Sequence, residues 1–374
     1  SLELYVSSIS APIFLEIAIK RYIMIPFRAD KFCPLFIDKG QLYLEKHNHV
    51  YQQTSPTSFK KPIINSDSWI EVLWSFFPVL RRVMRREIAH CVKFAGKILV
   101  FRKGEVNTYS SEGRKLTNFS HFNGSRPLNV CQTNEALFFG EYYSNSLRRE
   151  VRIFKTNDGS NWHEAYVFPT GQVRHIHNII FDSFRKGLWI LTGDSDSESG
   201  IWFSDVNFNQ VELVYGGSQH ARAVSLHVLS ESLVIATDTP LARNQLYNLH
   251  CKTREVTKIK DIQGSAFHCA KVKDIMFVST VTEPSAINKT NHAAIYASKD
   301  GTNWIPLIQL RKDIFPIYLQ KYTRYAEVKI LNGLWNDEWI IAIGRALEVT
   351  PLGCVRWRYD DVKRALDNSI ACVP

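Results

Sequence analysis

Three arginines recur at a constant interval in the middle of the chain, at positions 126, 174 and 222 (174 − 126 = 222 − 174 = 48). A guanidinium group presents a planar pair of donors that matches a carboxylate or a sulfate. If a structural unit recurs with this interval, Arg126, Arg174 and Arg222 lie at equivalent places and could bind one anionic group. Gln219 and Asn244 are further polar candidates for substrate binding. The structural alternative is that each arginine pairs with an acid of a neighbouring unit.

Acidic residues follow four of the apolar runs, and these are Glu141, Asp194, Asp238 and Glu283. Two carboxyl groups are the minimum for hydrolysing a glycosidic bond. We take Glu141 and Asp194 as the favoured acid and base, and Tyr142 as a candidate phenolate nucleophile or base. Acids at strand ends also accept hydrogen bonds from exposed backbone amides, which is the structural alternative.

Histidines occur in the same polar segments as these acids. His175 and His177 are two residues apart, so on a strand their side chains point to the same side. Together with His220 or His268 and an acid such as Glu141, they could form a divalent-metal site, although hydrolysis itself requires no cofactor. The structural alternative is that these histidines only form hydrogen bonds within the fold.

The elements that must position these residues are indicated by an internal repeat. Segments 156–162 and 298–304 are near copies, 142 residues apart (298 − 156 = 142), and more divergent polar turns lie near 110, 204 and 251. Three units in that distance give about 47 residues per unit, which fits a four-stranded propeller blade of about 40–50 residues. Short apolar runs bounded by Gly, Asn, Asp or Ser predict strands in each unit.

The sequence therefore predicts an all-β fold, a β-propeller of four-stranded blades in a single domain over residues 1–374. Innermost strands are predicted to begin near 33, 86, 126, 174, 220, 265 and 324. Seven blades are favoured, and six are the alternative if the first group completes the last blade. A short helical insertion is predicted within 66–87, broken at Pro78, and an irregular tail within 351–374.

The two near copies share one pattern, reading Thr156-Asn157-Asp158-Gly159-Ser160-Asn161-Trp162 and Ser298-Lys299-Asp300-Gly301-Thr302-Asn303-Trp304. This pattern resembles the Asp-box, or bacterial neuraminidase repeat, of the sialidase-like propeller superfamily, and the resemblance covers roughly residues 86–350. In that motif the Asp accepts backbone hydrogen bonds, the Gly has a positive φ and the Trp packs beneath. The resemblance implies a propeller whose boxes lie away from the catalytic face. Sialidases bind their substrate's carboxylate with an arginine triad, but their Arg-Ile-Pro signature is absent, since 23–26 reads Ile-Met-Ile-Pro.

The bulk properties limit the partners. The net charge is +10 and the isoelectric point about 9.2, so an anionic partner is favoured. The basic residues are dispersed except at Arg81, Arg82, Arg85 and Arg86, and no nucleic-acid motif accompanies them, so a nucleic-acid partner is not favoured. Seven scattered cysteines without a CxxC pair argue against a thiolate zinc site. The sequence shows no signal peptide or membrane span, and the compartment stays open.

In a propeller, the starts of the innermost strands and the turns after the second strands converge at one mouth of the central channel, a usual ligand site. The sequence therefore predicts a carbohydrate-active enzyme, with a glycoside hydrolase favoured, that cleaves an acidic (carboxylated) oligo- or polysaccharide at this mouth. Two alternatives remain. One is a polysaccharide lyase acting on a uronate glycan at a histidine-rich site, and the other is a non-catalytic propeller that binds glycan or protein.

Overall fold

The computed structural model of the protein describes residues 32–55, 58–59, 62–65, 69–77, 87–315, 324–350 and 352–371. These residues form seven antiparallel sheets, six with four strands and one with three. Each sheet is a blade of a β-propeller, as predicted, and its strands are hydrogen-bonded in chain order. The innermost strands are β1 Cys33–Asp38, β5 His90–Phe94, β9 Cys131–Gln132, β13 His175–Asp182, β17 Ala223–Val228, β21 Ala266–Val272 and β25 Glu327–Ile330.

All seven innermost strands begin within five residues of the positions predicted from the sequence. The second strands contain the continuous apolar runs, because both of their faces are covered by neighbouring blades. The second strands are β2 Gln41–Lys46, β6 Lys97–Arg102, β10 Leu137–Gly140, β14 Gly187–Gly193, β18 Ser232–Thr237, β22 Ile275–Thr280 and β26 Trp339–Arg345.

The outer strands face solvent more often, and their sequences are correspondingly more polar. The third strands are β3 His49–Ser55, β7 Glu105–Ser110, β11 Val151–Thr156, β15 Gly200–Asp205, β19 Gln245–His250, β23 His292–Ser298 and β27 Leu352–Arg358. The fourth strands are β4 Ser58–Phe59, β8 Lys115–Phe119, β12 His163–Phe168, β16 Val211–Gly216, β20 Val256–Asp261 and β24 Ile305–Arg311.

The hydrophobic core lies between blades. Phe138 and Ile153 of the third blade pack with Ile176 and Ile190 of the fourth, and the other blade interfaces are built in the same way. The ring closes where the first blade packs on the last, with Leu42 among the buried residues at that contact. Burial of apolar surface stabilises these contacts by about 25 cal/mol per Å². The blade interfaces, rather than the individual sheets, therefore hold the channel residues in place.

The helical insertion predicted within 66–87 corresponds to helix α1, Trp69–Ser75, which ends before Pro78. The arginines at 81, 82, 85 and 86 and the segment 23–26 lie outside the described residues. None of the helices in the described ranges has the length and apolar character needed to cross a membrane. The cysteines of those ranges are free thiols.

The prediction of an irregular tail is wrong for residues 352–371, and residues 351 and 372–374 lie outside the described ranges. Strand β27 adds to β26, and helix α2, Tyr359–Ala371, follows it directly. Val362 and Leu366 are four residues apart and therefore share one helix face, which packs into the core of the last two blades. This spacing of two apolar residues is the feature of the sequence that indicates the helix. Acidic residues in the first turn favour the same helix.

The repeated segments 156–162 and 298–304 are the turns between third and fourth strands. In each turn one carboxylate oxygen accepts two backbone N–H groups: Asp158 from Ser160 and Asn161, and Asp300 from Thr302 and Asn303, all at 2.8 Å. We call them the repeated turns. Because antiparallel strands alternate in direction, these turns lie on the face opposite the starts of the innermost strands.

Candidate active site at the channel mouth

A cavity of about 480 Å³ occupies the end of the central channel where innermost strands start and second strands end. This volume lies in the usual range of about 300–1,000 Å³ for ligand sites. We call it the mouth cavity. Its wall contains eight of the residues that sequence analysis selected, and these are Arg126, Tyr142, His177, Asp194, Arg222, Asp238, His268 and Glu283.

Asp194, just after β14, is the centre of a charged cluster. Its Oδ2 lies 3.2 Å from Nη1 of Arg174, and its Oδ1 lies 3.3 Å from Nη2 of Arg222. The same Oδ1 lies 3.4 Å from Nε2 of His175 and 3.6 Å from Nε2 of His177. Burial opposes ionisation, but these histidine and arginine contacts outweigh it and hold the pKa of Asp194 well below its usual value. Asp194 is therefore a fixed anion, not a proton donor, at neutral pH.

His175 and His177 face each other across 3.1 Å, measured between their Nε2 atoms. Nδ1 of His175 lies 3.1 Å from the carbonyl oxygen of Tyr143, and Nδ1 of His177 lies 2.9 Å from that of Ala223. A carbonyl oxygen can only accept, so both Nδ1 atoms carry the proton in these hydrogen bonds. The two Nε2 lone pairs of neutral rings would then point at each other. A proton, a cation or a water molecule that donates to both nitrogens satisfies this arrangement, and burial lowers the pKa of His177, which disfavours the proton.

The geometry of this cluster fits a divalent cation. The ligand atoms of His175, His177 and Asp194 all lie within 4.8 Å of one another. Two nitrogen ligands at about 2.1 Å from a metal, set at right angles, are about 3 Å apart, close to the separation of the two Nε2 atoms. Each Nδ1 is held by a backbone carbonyl, the usual support for a ligating imidazole. His220, a predicted ligand, is not in the cluster, since its ring is exposed and lies 5.1 Å from that of Tyr247.

Asp238 and Glu283 form a second acidic pair in the mouth cavity. Asp238 is only 4% exposed, and its Oδ1 has no hydrogen-bond partner among the described residues. Burial raises the pKa of Asp238 to about 7, and the Glu283 charge adds to this against the opposing effect of Arg222. Glu283 accepts a 2.8 Å hydrogen bond from the Ser265 hydroxyl. Asp238 can therefore either take up or release a proton near neutral pH.

Tyr142 lies over the first histidine of the cluster, with ring centroids of Tyr142 and His175 4.4 Å apart. Burial, together with the charges of Asp194 and Asp238, raises the pKa of Tyr142 to about 12. The phenol is therefore neutral at physiological pH. That state suits a proton donor better than the phenolate expected from the sequence.

Glu141 is buried and does not line the mouth cavity. Its Oε1 accepts the backbone N–H of Asn123 at 2.7 Å, and its Oε2 accepts that of Arg152 at 3.0 Å. Both oxygens are thus engaged in fixing the chain after β10. Glu141 therefore has the structural role that the sequence left open as an alternative, in which an acid at a strand end accepts hydrogen bonds from backbone amides.

Gln219 and Asn244 also lie behind the cavity wall. Gln219 donates to the carbonyl oxygen of Asp194 at 3.1 Å and accepts from the Thr239 hydroxyl at 2.7 Å. Asn244 accepts the N–H of Thr239 at 2.8 Å and donates to its carbonyl oxygen at 2.9 Å. These amides hold two loops in register. They position the wall without facing a ligand in the cavity.

The three equally spaced arginines lie on three successive blades but do not meet at one anion. Arg174 and Arg222 share Asp194, whereas Nη1 of Arg126 lies 3.9 Å from Oε1 of Glu87. Of these three arginines, Arg126 and Arg222 line the mouth cavity and Arg174 does not. All three arginines thus pair with an acid of the same or a neighbouring blade, and two of them, Arg126 and Arg222, also face the ligand space.

On the opposite wall of the mouth cavity, only His268 and Glu283 were predicted from the sequence. We call this wall, from blades two, six and seven, the basic side, and its ionisable residues are His90, His268, Glu283, Arg324, Tyr325, Glu327, Lys329 and Arg345. Arg345 immediately follows Gly344 at the end of a second strand, the same position that drew attention to Asp194 and Asp238 in other blades. Applying the repeat to the last blade would have found it.

No protein-family model matches the chain, and no curated protein is similar to it in sequence. Among solved structures, a chain from the crystal structure of the mitotic checkpoint complex superposes with a TM-score of 0.54 at 10% identity, covering 90% of this chain and 91% of that one. An oligogalacturonate lyase in complex with manganese superposes with a TM-score of 0.53 at 7% identity, covering 88% of this chain and 89% of that one. These similarities show the fold alone, and membership of the sialidase-like superfamily stays a prediction.

Proposed function

We propose that the protein is a carbohydrate-active enzyme that cleaves an acidic, uronate-containing glycan at the mouth cavity by β-elimination. The observation that carries this proposal is the facing pair of His175 and His177 Nε2 atoms, 3.1 Å apart beside Asp194, which suits a divalent cation. The fold similarity to an oligogalacturonate lyase in complex with manganese supports it. Of the alternatives raised by the sequence, the geometry favours the lyase.

The proposed elimination gives roles to a bound cation and to Arg222, Asp238 and Tyr142. A bound cation would neutralise the uronate carboxylate and so acidify the adjacent C–H group. Arg222 is placed to bind the same carboxylate, since its guanidinium lies between Asp194 and Asp238. Asp238, when ionised, accepts the proton from the carbon next to the carboxylate. The electron pair of that C–H bond forms the new double bond, and the bond to the glycosidic oxygen breaks.

The departing oxygen needs a proton, and Tyr142 is the candidate donor because its phenol is neutral at physiological pH. The proton taken by Asp238 and the proton given by Tyr142 balance, so no water is added and no oxidant is consumed. Water returns the two residues to their starting states. The neighbouring Glu283 keeps the pKa of Asp238 raised and so sets it near the working pH.

A second candidate function is glycoside hydrolysis, the reaction favoured by the sequence. Its supporting observation is the same raised pKa of Asp238, which would allow it to act as a general acid with Glu283 as the ionised partner. Glu141 and Asp194 are poorly suited to that reaction, because one is enclosed by backbone N–H groups and the other is held ionised.

Product analysis tests the proposal. Oligogalacturonate and other uronate oligosaccharides are incubated with the protein and Mn²⁺, and products are followed by ultraviolet absorbance and mass spectrometry. Elimination produces an absorbing double bond and fragments whose masses sum to that of the substrate. Fragments heavier by one water would instead show hydrolysis. Binding without cleavage of any of these uronates would leave a non-catalytic propeller and refute the enzyme.

A further inference from the structure

The basic side of the mouth cavity contains a cation whose charge is not compensated. Lys329, on the innermost strand β25, lines both the mouth cavity and a cavity of about 770 Å³ that continues down the channel. Among the described residues, no carboxylate oxygen lies within 4.0 Å of its Nζ, and no hydrogen bond to its side chain is found there. The ammonium group therefore faces the channel without a counter-ion from this part of the chain.

The acids of this wall and its margin are already engaged by other residues. Glu327 pairs with Arg345, and its Oε2 lies 3.4 Å from Nε2 of His268. Glu87 pairs with Arg324 and lies 3.9 Å from Arg126. The pair of Glu327 and Arg345 lies within one blade, whereas the pair of Glu87 and Arg324 joins blades that are far apart in sequence, and together they fix the acids in place. Neither acid can turn towards Lys329 without breaking an ion pair.

A count of charges supports an anion site on this wall. The wall and its margin hold four cations, which are Arg126, Arg324, Lys329 and Arg345, against three carboxylates, which are Glu87, Glu283 and Glu327. The difference is one positive charge (4 − 3 = 1), and the nearby histidines add no negative charge. Taking a charge out of water is costly unless an opposite charge accompanies it. An anionic ligand supplies that charge.

The pKa of Lys329 reflects the same excess of positive charge on the basic side. Burial and the Arg345 charge lower the pKa of Lys329 to about 8, with partial opposition from Glu327. Burial lowers the pKa values of His90 and His268, and the charge of Lys329 adds to this effect. At pH 7 the amine still carries its proton. A carboxylate placed beside it would relieve repulsion among all of these groups.

We infer that the basic side binds a second acidic group of the same ligand, so that the substrate carries at least two acidic sugars. This inference rests on the proposed function, in which the first carboxylate lies at the wall formed by His177, Asp194 and Arg222. The second carboxylate binds Lys329, next to Arg126 and Arg345. The site therefore selects oligomers over single uronic acids.

Calorimetric titration in the Asp238→Asn background, which binds without turnover, tests the inference. The probes are galacturonate, digalacturonate, and digalacturonate with one carboxyl group methyl-esterified, all with Mn²⁺ present. Digalacturonate is expected to bind about ten- to a hundredfold tighter than the other two, the effect of one charge-assisted hydrogen bond. Lys329→Gln should remove this preference and leave galacturonate affinity within about twofold, whereas Lys329→Arg should keep it.

Lys271→Gln is the matched control, because Lys271 lies on the neighbouring innermost strand and lines the lower channel but not the mouth cavity. If the Asp238→Asn protein with Lys329 retained binds all three probes with equal affinity, the inference is overturned, whether or not the Lys329 variants fold. Binding of galacturonate with no gain from the second sugar refutes the second site alone. Binding of none of the probes refutes the proposed function as well.

Discussion

Aspartates have opposite surroundings at the two faces of the molecule. In the repeated turns, Asp300 accepts two backbone N–H groups at 2.8 Å, and despite the cost of burial these bonds hold its pKa well below the usual value. At the channel mouth, Asp238 has an oxygen without a partner among the described residues, and burial raises its pKa to about 7. The same side chain is thus a structural anion in one place and a proton-exchanging group in the other.

The comparison shows that backbone partners, not residue type, separate the two roles. A carboxylate that is saturated by N–H groups has no capacity left for a substrate, and its removal costs stability. A buried carboxylate with few partners is less stable when ionised, and it can contribute to catalysis. Variants at the two faces should therefore affect different quantities, namely activity at the mouth and stability at the turns.

The largest expected effect is that of Asp238→Asn. The amide keeps the shape of the carboxyl group but cannot accept the substrate proton, so kcat should fall by about 10²- to 10⁴-fold. Thermal unfolding should change little or shift upwards, because a buried ionisable group without full pairing is replaced by a neutral one. Steady-state kinetics and a melting curve measure the two effects. Full activity in a folded Asp238→Asn variant would remove Asp238 from the mechanism.

The pH dependence of kcat distinguishes the two candidate reactions. If Asp238 is the base of an elimination, it must be ionised, so the rate should rise as the pH increases through about 7. If it is the acid of a hydrolysis, it must be protonated, so the rate should fall over the same range. Glu283→Gln removes a nearby negative charge and should move this limb to lower pH. A flat profile between pH 6 and about 8 would contradict both roles.

A smaller effect, on stability, is expected for Glu141→Gln. One of the two oxygens becomes an NH₂ group facing a backbone N–H of Asn123 or Arg152, which should cost about 1–3 kcal/mol of unfolding free energy. Activity per folded molecule should stay unchanged, because Glu141 does not line the mouth cavity. Denaturant unfolding and kcat are measured on the same preparation. A large loss of kcat with unchanged stability would return Glu141 to the catalytic site.

The smallest effect is expected for Asp300→Ala in a repeated turn. The loss of the two N–H acceptors should lower the unfolding free energy by about 0.5–2 kcal/mol, as for a helix cap, because the turn is partly solvated. Its stabilising effect requires the ionised form, so the difference from the unchanged protein should shrink as the pH falls below about 4. Asp158→Ala is the matched variant in the other turn. A change in kcat in either variant would contradict the separation between stability at the turns and activity at the mouth.

Much of the fold could be predicted because turn chemistry and apolar runs are local signals. The two repeated turns set the interval, and the continuous run Leu188–Leu191 identified a second strand buried on both faces. The helix at the end of the chain is not part of the repeating unit, so the repeat does not predict it, although the i,i+4 pair Val362 and Leu366 indicates it locally. The strand and helix there follow from local spacing that the repeat conceals.

The site could be predicted only in part, because topology brings groups to the mouth but does not orient them. Asp194 and Glu141 both follow second strands, yet one faces the cavity and the other turns into backbone N–H groups. The basic side depends on closure of the ring: the pair of Arg324 and Glu87 spans 237 residues. No spacing in the sequence indicates such a contact.

The most direct test of the account is a calorimetric titration of Mn²⁺ into the protein near neutral pH. The account predicts one site per chain that is lost in His177→Ala and retained in His220→Ala, since His177 lies in the cluster and the exposed His220 does not. Elimination activity should follow the occupancy of that site. No Mn²⁺ binding, or equal binding by His177→Ala and the unchanged protein, would contradict the assignment of His175, His177 and Asp194 as the centre of the mouth cavity.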